Sequence, residues 1–162
     1  MTVNTTIQVS GVKETINALK KIDPQLQKDF RVKANEIAQP AINAAKDVYT
    51  EIPLSGMAYK WTSRDRKLFP FSVAKAKSNV KLRIDTRRNA VGVILIEQKD
   101  PATAIFEIAG RLNANRLGDQ LGFVGPGRTR LIGPAVYKAR RGVEGEMQKM
   151  ILDTARTVRQ EM

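Results

Sequence analysis

The stretch most suggestive of chemistry is GRLNANRLGDQLGFVGPGRTRLIGP, residues 110–134, which holds six glycines, two prolines and four arginines. Glycines beside cations can let backbone N–H groups surround a phosphate, and GFVGPGRT at 122–129 comes nearest to such a cradle. A phosphate loop needs G-x-x-x-x-G-K-[S/T] between a strand and a helix. Here the glycines stand at 122, 125 and 127, Arg128 follows where a lysine belongs, and no strand pattern precedes. The dinucleotide fingerprint fails as well, because no βαβ unit surrounds the segment.

Other chemistries are narrowed by what the chain lacks. Its 162 residues include no histidine and no cysteine. Ser-His-Asp and Cys-His catalysis are therefore impossible, and so are disulfides and thiolate metal sites. Glu14, Asp29, Glu36, Asp47, Glu144 and Glu146 are mixed with lysines along helical patterns and read as solvated faces. No carboxylate cluster has divalent-metal spacing. The expectation is a protein without enzymatic activity, cofactor or metal. The N-terminus shows no signal-peptide pattern, and no apolar run is long enough to span a membrane. Without cysteine, a cytosolic origin or assembly site is expected.

Charge is the strongest compositional feature. The net charge is +12. Residues 60–88 carry ten Lys/Arg against two Asp, and residues 111–141 carry seven against Asp119 alone. The remainder of the chain is slightly acidic. Two basic segments of this kind attract polyanions or acidic protein surfaces, or form a solvated basic face. In the first of them AYKWTSRDRKLFPF, residues 58–71, interleaves aromatics with cations, as single-strand binders do. Alternatively Trp61, Phe69 and Phe71 pin this segment to the core or to a neighbouring subunit.

The elements that must position these residues follow from apolar periodicity and from caps. TIQV, residues 6–9, alternates as a strand. Val12, Ile16, Leu19 and Ile22 have helical spacing, with Ser10 as candidate N-cap. Asp23-Pro24 starts a second helix, running to about Glu51 with a kink expected near Glu36–Pro40. NVKLRID and AVGVILIEQ flank TRRN as an antiparallel hairpin. The almost continuously apolar second strand is expected to be central and covered on both faces. Asp100-Pro101 opens a short helix that Gly110 stops. Gly133-Pro134 opens a last helix with Val136, Ala139, Val143, Met147, Ile151, Thr154 and Val158 inward. Gly142 and Gly145 weaken it or admit another backbone. The chain reads as one domain over 1–162, with extended basic loops at 53–77 and 110–132. The fold class is α+β: an N-terminal strand, a kinked long helix, a central antiparallel β-hairpin or sheet, and a long C-terminal helix packed on it.

This order of elements resembles a known family, the head–tail connector or tail-completion (neck) proteins of long-tailed bacteriophages. The likeness rests on VSGV at Val9–Val12, LKKI at Leu19–Ile22 and AAKDVYTEIP at Ala44–Pro53. It continues in ATAIFEIAG at Ala102–Gly110 and RLIGPAV at Arg130–Val136. It covers residues 7–53 and 90–158 and departs most in the two basic segments.

The resemblance implies a structural virion protein of the neck, assembled in the bacterial host cytoplasm. It would form a ring, as a hexamer, that joins the DNA-filled head to the tail tube and passes double-stranded DNA through its lumen. Its partners would be further copies of itself, head-closure or portal-side neck proteins, and tail-terminator or tail-tube proteins, with no membrane. On this reading Arg64, Arg66, Lys67, Arg87, Arg88, Arg128 and Arg130 are the expected contacts to DNA or an acidic partner. Trp61, Phe69, Phe71, Leu117, Leu121 and Phe123 are the expected subunit interface. Residues 110–134 become a flexible assembly loop completed by a neighbour. The competing readings are a free nucleic-acid-binding protein using its basic and aromatic loops, and a tail-terminator or minor capsid component.

Overall fold

The computed structural model describes residues 2–51, 61–63, 66–68, 71–85, 93–110, 121–125 and 128–161, and the chain has an α+β fold. In order the elements are β1 (Val3–Gln8), α1 (Val12–Ile22), α2 (Pro24–Asp47), β2 (Trp61–Ser63), β3 (Arg66–Leu68), α3 (Val73–Ser78), β4 (Val80–Asp85), β5 (Val93–Gln98), α4 (Pro101–Ile108) and α5 (Ile132–Glu161).

The sheet order is β1-β5-β4, antiparallel throughout. The apolar run of β5 therefore does place it centrally. Ile94, Ile96 and Gln98 are buried on the core face, beside Val3, Ile7 and Val80. The outer face is closed differently from an all-apolar strand. It carries half-buried Leu95 and buried Glu97, and Glu97 lies between Arg83 (3.5 Å) and Lys99 (3.2 Å). β1 is longer than its alternation suggests, because it pairs with β5 from Val3↔Gln98 to Gln8↔Val93.

The two long helices pack on each other, α2 against β4 and α5 against β1. Their shared seam is Phe30, Ala34, Ala38, Ala41 and Ala45 from α2, with Val136, Val143, Met147 and Met150 from α5. Each fully buried aliphatic side chain contributes roughly 1.5–3 kcal/mol through removal of its surface from water. Alanines at every third or fourth position let the helices approach closely.

Local signals explain where helices begin. Asp23 caps α2, its Oδ1 accepting from Gln25 N at 2.7 Å, and Pro24 takes the first helical position, where no N–H is needed. The helix continues across Pro40. It ends at Asp47, earlier than the periodicity suggests, because Tyr49 N bonds back to Lys46 O and the tyrosine turns inward. The start of α1 differs from expectation too. Gly11, not Ser10, holds the cap position, at φ +90° over Ile151, a conformation open to glycine without strain.

Residues 53–77 are not one unstructured excursion. β2 and β3 form a short antiparallel pair, Trp61↔Leu68 to Ser63↔Arg66. Val73–Ser78 is a helix capped by Ser72, and it buries Ala76. A helix of fewer than two turns is too short to show a period, so the pattern hid it.

In α5 the expected inward stripe is present, buried or half-buried throughout. A Cβ at Gly142 or Gly145 would have no neighbour within 4 Å. Gly142→Ala and Gly145→Ala should therefore each stabilise the chain by about 1 kcal/mol. Thermal melts of the two variants check this. A lowered midpoint would mean that these positions are needed for a second backbone.

Candidate functional site

Two sets of residues stand out: a buried polar hub under the start of α5, and exposed aromatic and basic side chains that flank it along the chain. The hub is built from α4. Asp100 caps that helix, accepting from Thr103 N (2.9 Å) and Thr103 Oγ1 (2.7 Å). Gln98, fully buried, holds the preceding corner: its Nε2 donates to Ala76 O and its Oε1 accepts from Asp100 N, both at 2.9 Å. At the other end Gly110 stops the chain at φ +83°, with no room for a Cβ against Gly122 O.

Glu107, between these two ends, is 0% exposed. Its carboxylate accepts the Tyr49 hydroxyl at 2.7 Å and Leu131 N at 2.8 Å. It also accepts Ile132 N at 3.2 Å. The carboxylate thus does for α5 what an N-cap side chain would do, from a distant part of the chain. Thr129 Oγ1 takes the next amide, Gly133 N, at 2.6 Å. An anion at a helix N-terminus is favoured by both the unpaired N–H groups and the macrodipole. Burial, reinforced by the Glu107 charge, pushes the Tyr49 hydroxyl far above its ordinary value of 10.

Arg130 closes the hub from outside. Its guanidinium donates to Phe106 O (3.3 Å), Ala109 O (2.6 Å), Gly122 O (3.0 Å) and Leu121 O, and lies 5.5 Å from the Phe106 ring centroid. Burial pushes its pKa below the usual range, and Glu107 opposes that shift. Val124 N donates to Gly110 O and Arg128 N to Gly125 O, both at 3.3 Å. The chain's own groups therefore hold residues 121–125 and 128–130 in place, where the sequence suggested a loop completed by a neighbour.

The residues singled out from the sequence fall into three groups. Arg64, Phe69, Arg87, Arg88 and Leu117 lie outside the described residues. Trp61 is in β2, and Arg66 and Lys67 are in β3. The others are placed individually. Arg128 is exposed. Arg130 has a role inside the fold. Phe71 is buried and meets Phe106 edge-on, with centroids 5.9 Å apart at 70°, so it pins its segment to the chain's own core. Leu121 packs half-buried on the same core, while Phe123 is 75% exposed.

Sequence reasoning passed over Glu107, Gln98 and Tyr49. The available signal was a lone carboxylate in the apolar run AIFEIAG. The solvated acids behave as expected: Glu14, Asp29, Glu36, Asp47 and Glu146 are exposed and Glu144 is half-buried.

The exposed side chains lie on either side of the hub in sequence. Phe123 projects from the clamped segment. Tyr137, 61% exposed, lies under the Arg140 guanidinium at 4.0 Å, with Lys138 and Arg141 exposed beside it. An open apolar groove between α2 and α5 runs alongside, lined by Ala44, Val48, Leu131, Pro134 and Ala135, with Lys138 on its wall. Among the described residues no group of acids could hold a metal ion, and no helix is long and apolar enough to cross a membrane.

No protein-family model, curated protein or solved structure matches the chain. The hub combines one carboxylate, one tyrosine and one arginine, all engaged with each other's surroundings or with backbone. Its geometry orients α5 and the segment before it.

Proposed function

We propose that this chain is a structural virion protein of a long-tailed phage neck. It assembles as a ring that joins the DNA-filled head to the tail tube and lets DNA pass. The observation that carries the reading is the Arg130-clamped segment, which presents Phe123 on a platform anchored to the core. A large apolar side chain held outward at fixed geometry gives up little conformational freedom on docking. It is the kind of anchor on which protein interfaces concentrate their energy. The order of elements, from strand and paired helices through hairpin to a long last helix, supports the same reading through the resemblance.

In an infection lacking this gene product, DNA-filled heads and separate tails are expected by electron microscopy. Joined, infectious particles under that condition would sink the proposal.

A further inference from the structure

The start of α5 carries a second surface that the apolar platform does not account for. From Leu121 to Val143 the chain contains five Lys/Arg and no acid. Arg130 is taken up by the carbonyls of the hub. Of the others, Lys138, Arg140 and Arg141 stand within one helical turn of α5, around Tyr137.

No described carboxylate pairs with any of these three. The nearest acid along the helix, Glu144, is one turn beyond Arg140 and makes no ion pair with it. Arg140 Nε is enclosed without a hydrogen-bond acceptor among the described residues. Arg140 Cζ lies over the Tyr137 ring, 4.0 Å from its centroid. A guanidinium held against a ring loses freedom of orientation, which favours its terminal N–H groups meeting an oxyanion. The N-terminal amides of α5 are already occupied by Glu107 and Thr129, so these side chains carry the binding.

The geometry points to Lys138, Arg140 and Arg141, with Tyr137 as the positioning ring, as a binding patch for the phosphate backbone of double-stranded DNA. Phosphate backbone fits better than an acidic protein surface. Protein interfaces have an apolar core ringed by polar groups; here the apolar groove reaches the patch only at Lys138, while Tyr137, Arg140 and Arg141 stand outside its lining. Backbone binding needs only closely spaced cations and is independent of sequence. For its source of duplex the inference rests on the neck reading, in which DNA passes the assembled protein.

The test uses the purified full chain and a short fluorescent duplex, with anisotropy read across a salt series starting at about 50 mM. The unaltered protein should bind with steep salt dependence. Combined Lys138→Ala, Arg140→Ala and Arg141→Ala should lose at least about tenfold in affinity and reduce the logarithmic salt slope by about three. Tyr137→Leu, which keeps every charge, should lose about threefold by freeing the Arg140 fork. Combined Lys20→Ala, Lys21→Ala and Lys28→Ala, exposed lysines of α1 and α2, should keep the original affinity.

Three results would overturn the patch: no retention of duplex by the unaltered protein; a triple α5 variant with unchanged melting, affinity and slope; or polyglutamate bound as tightly through the same residues. The assay is independent of virion assembly. Joined particles without the gene product would remove the neck reading and leave this result standing, and the converse also holds.

Discussion

Replacing Glu107 with alanine is expected to destabilise the protein by about 3–5 kcal/mol. Three buried or part-buried donors lose their acceptor at once: the Tyr49 hydroxyl and the amides of Leu131 and Ile132. Each unsatisfied group costs roughly 1–3 kcal/mol, because no water replaces the lost partner. A domain of ordinary stability has only about 5–15 kcal/mol in total, so a large share would go. Urea unfolding followed by circular dichroism measures it, and a loss below about 1 kcal/mol would show that the hub is not holding α5. Tyr49 adds a pH signature. Unfolded tyrosine releases its proton near pH 10, while folded Tyr49 keeps its own because its pKa is raised. Above that pH the folded state binds more protons than the unfolded one, so stability falls as pH rises. Tyr49→Phe should flatten this alkaline loss, while costing about 1–2 kcal/mol at neutral pH through the lost hydrogen bond.

Arg130→Lys should behave as a disruptive change despite the retained charge. The guanidinium reaches four carbonyls, from Phe106, Ala109, Leu121 and Gly122, because its donors are spread over a plane. An ammonium is a point with three donors and cannot span them. The expected loss is about 2 kcal/mol for lysine and somewhat more for alanine, moderated by the partial exposure of the site. The local effect is larger than the global one. The Val124 amide, which donates to Gly110 O, should exchange its hydrogen much faster once the clamp is gone. Unchanged exchange there in Arg130→Ala would mean that something else fixes the segment. On the proposed neck reading, and if the clamp sets the Phe123 platform, the same variants should also impair head–tail joining while leaving the core folded.

Much of the fold was legible because its signals are local. Asp23-Pro24 and Asp100-Pro101 each place a carboxylate and a ring one residue apart, and both start helices as that chemistry requires. Gly110 marks a stop through its positive φ. The inward stripe of α5 follows from helical spacing alone. What escaped was short or depended on partners. α3 has fewer than two turns and no period. Ser10 reads as a plausible cap, but Gly11, set against Ile151, takes the cap position. Phe71 reads as pinned either to the core or to a neighbour, and contacts distant in sequence decide for the core; Arg130 reads as an outward cation, yet it donates to backbone carbonyls of its own chain.

The sequence by itself determined the class of architecture, the positions of most helices and the absence of histidine or cysteine chemistry. It also determined the placement of excess positive charge in two segments. These are properties of composition and of neighbours a few residues apart. Only the tertiary structure decided which charged groups are internal. Glu107 meets Tyr49 across 58 positions and Leu131 across 24, and Arg130 meets Phe106 across 24. Whether a carboxylate is solvated or buried, and whether an arginine faces a carbonyl or a phosphate, depends on which distant backbone the fold brings alongside it. That is why residues 110–134, which read as a flexible assembly loop completed by a neighbour, prove in their described part to be clamped by the chain's own groups, while Lys138, Arg140 and Arg141 on α5 have no acid partner among the described residues.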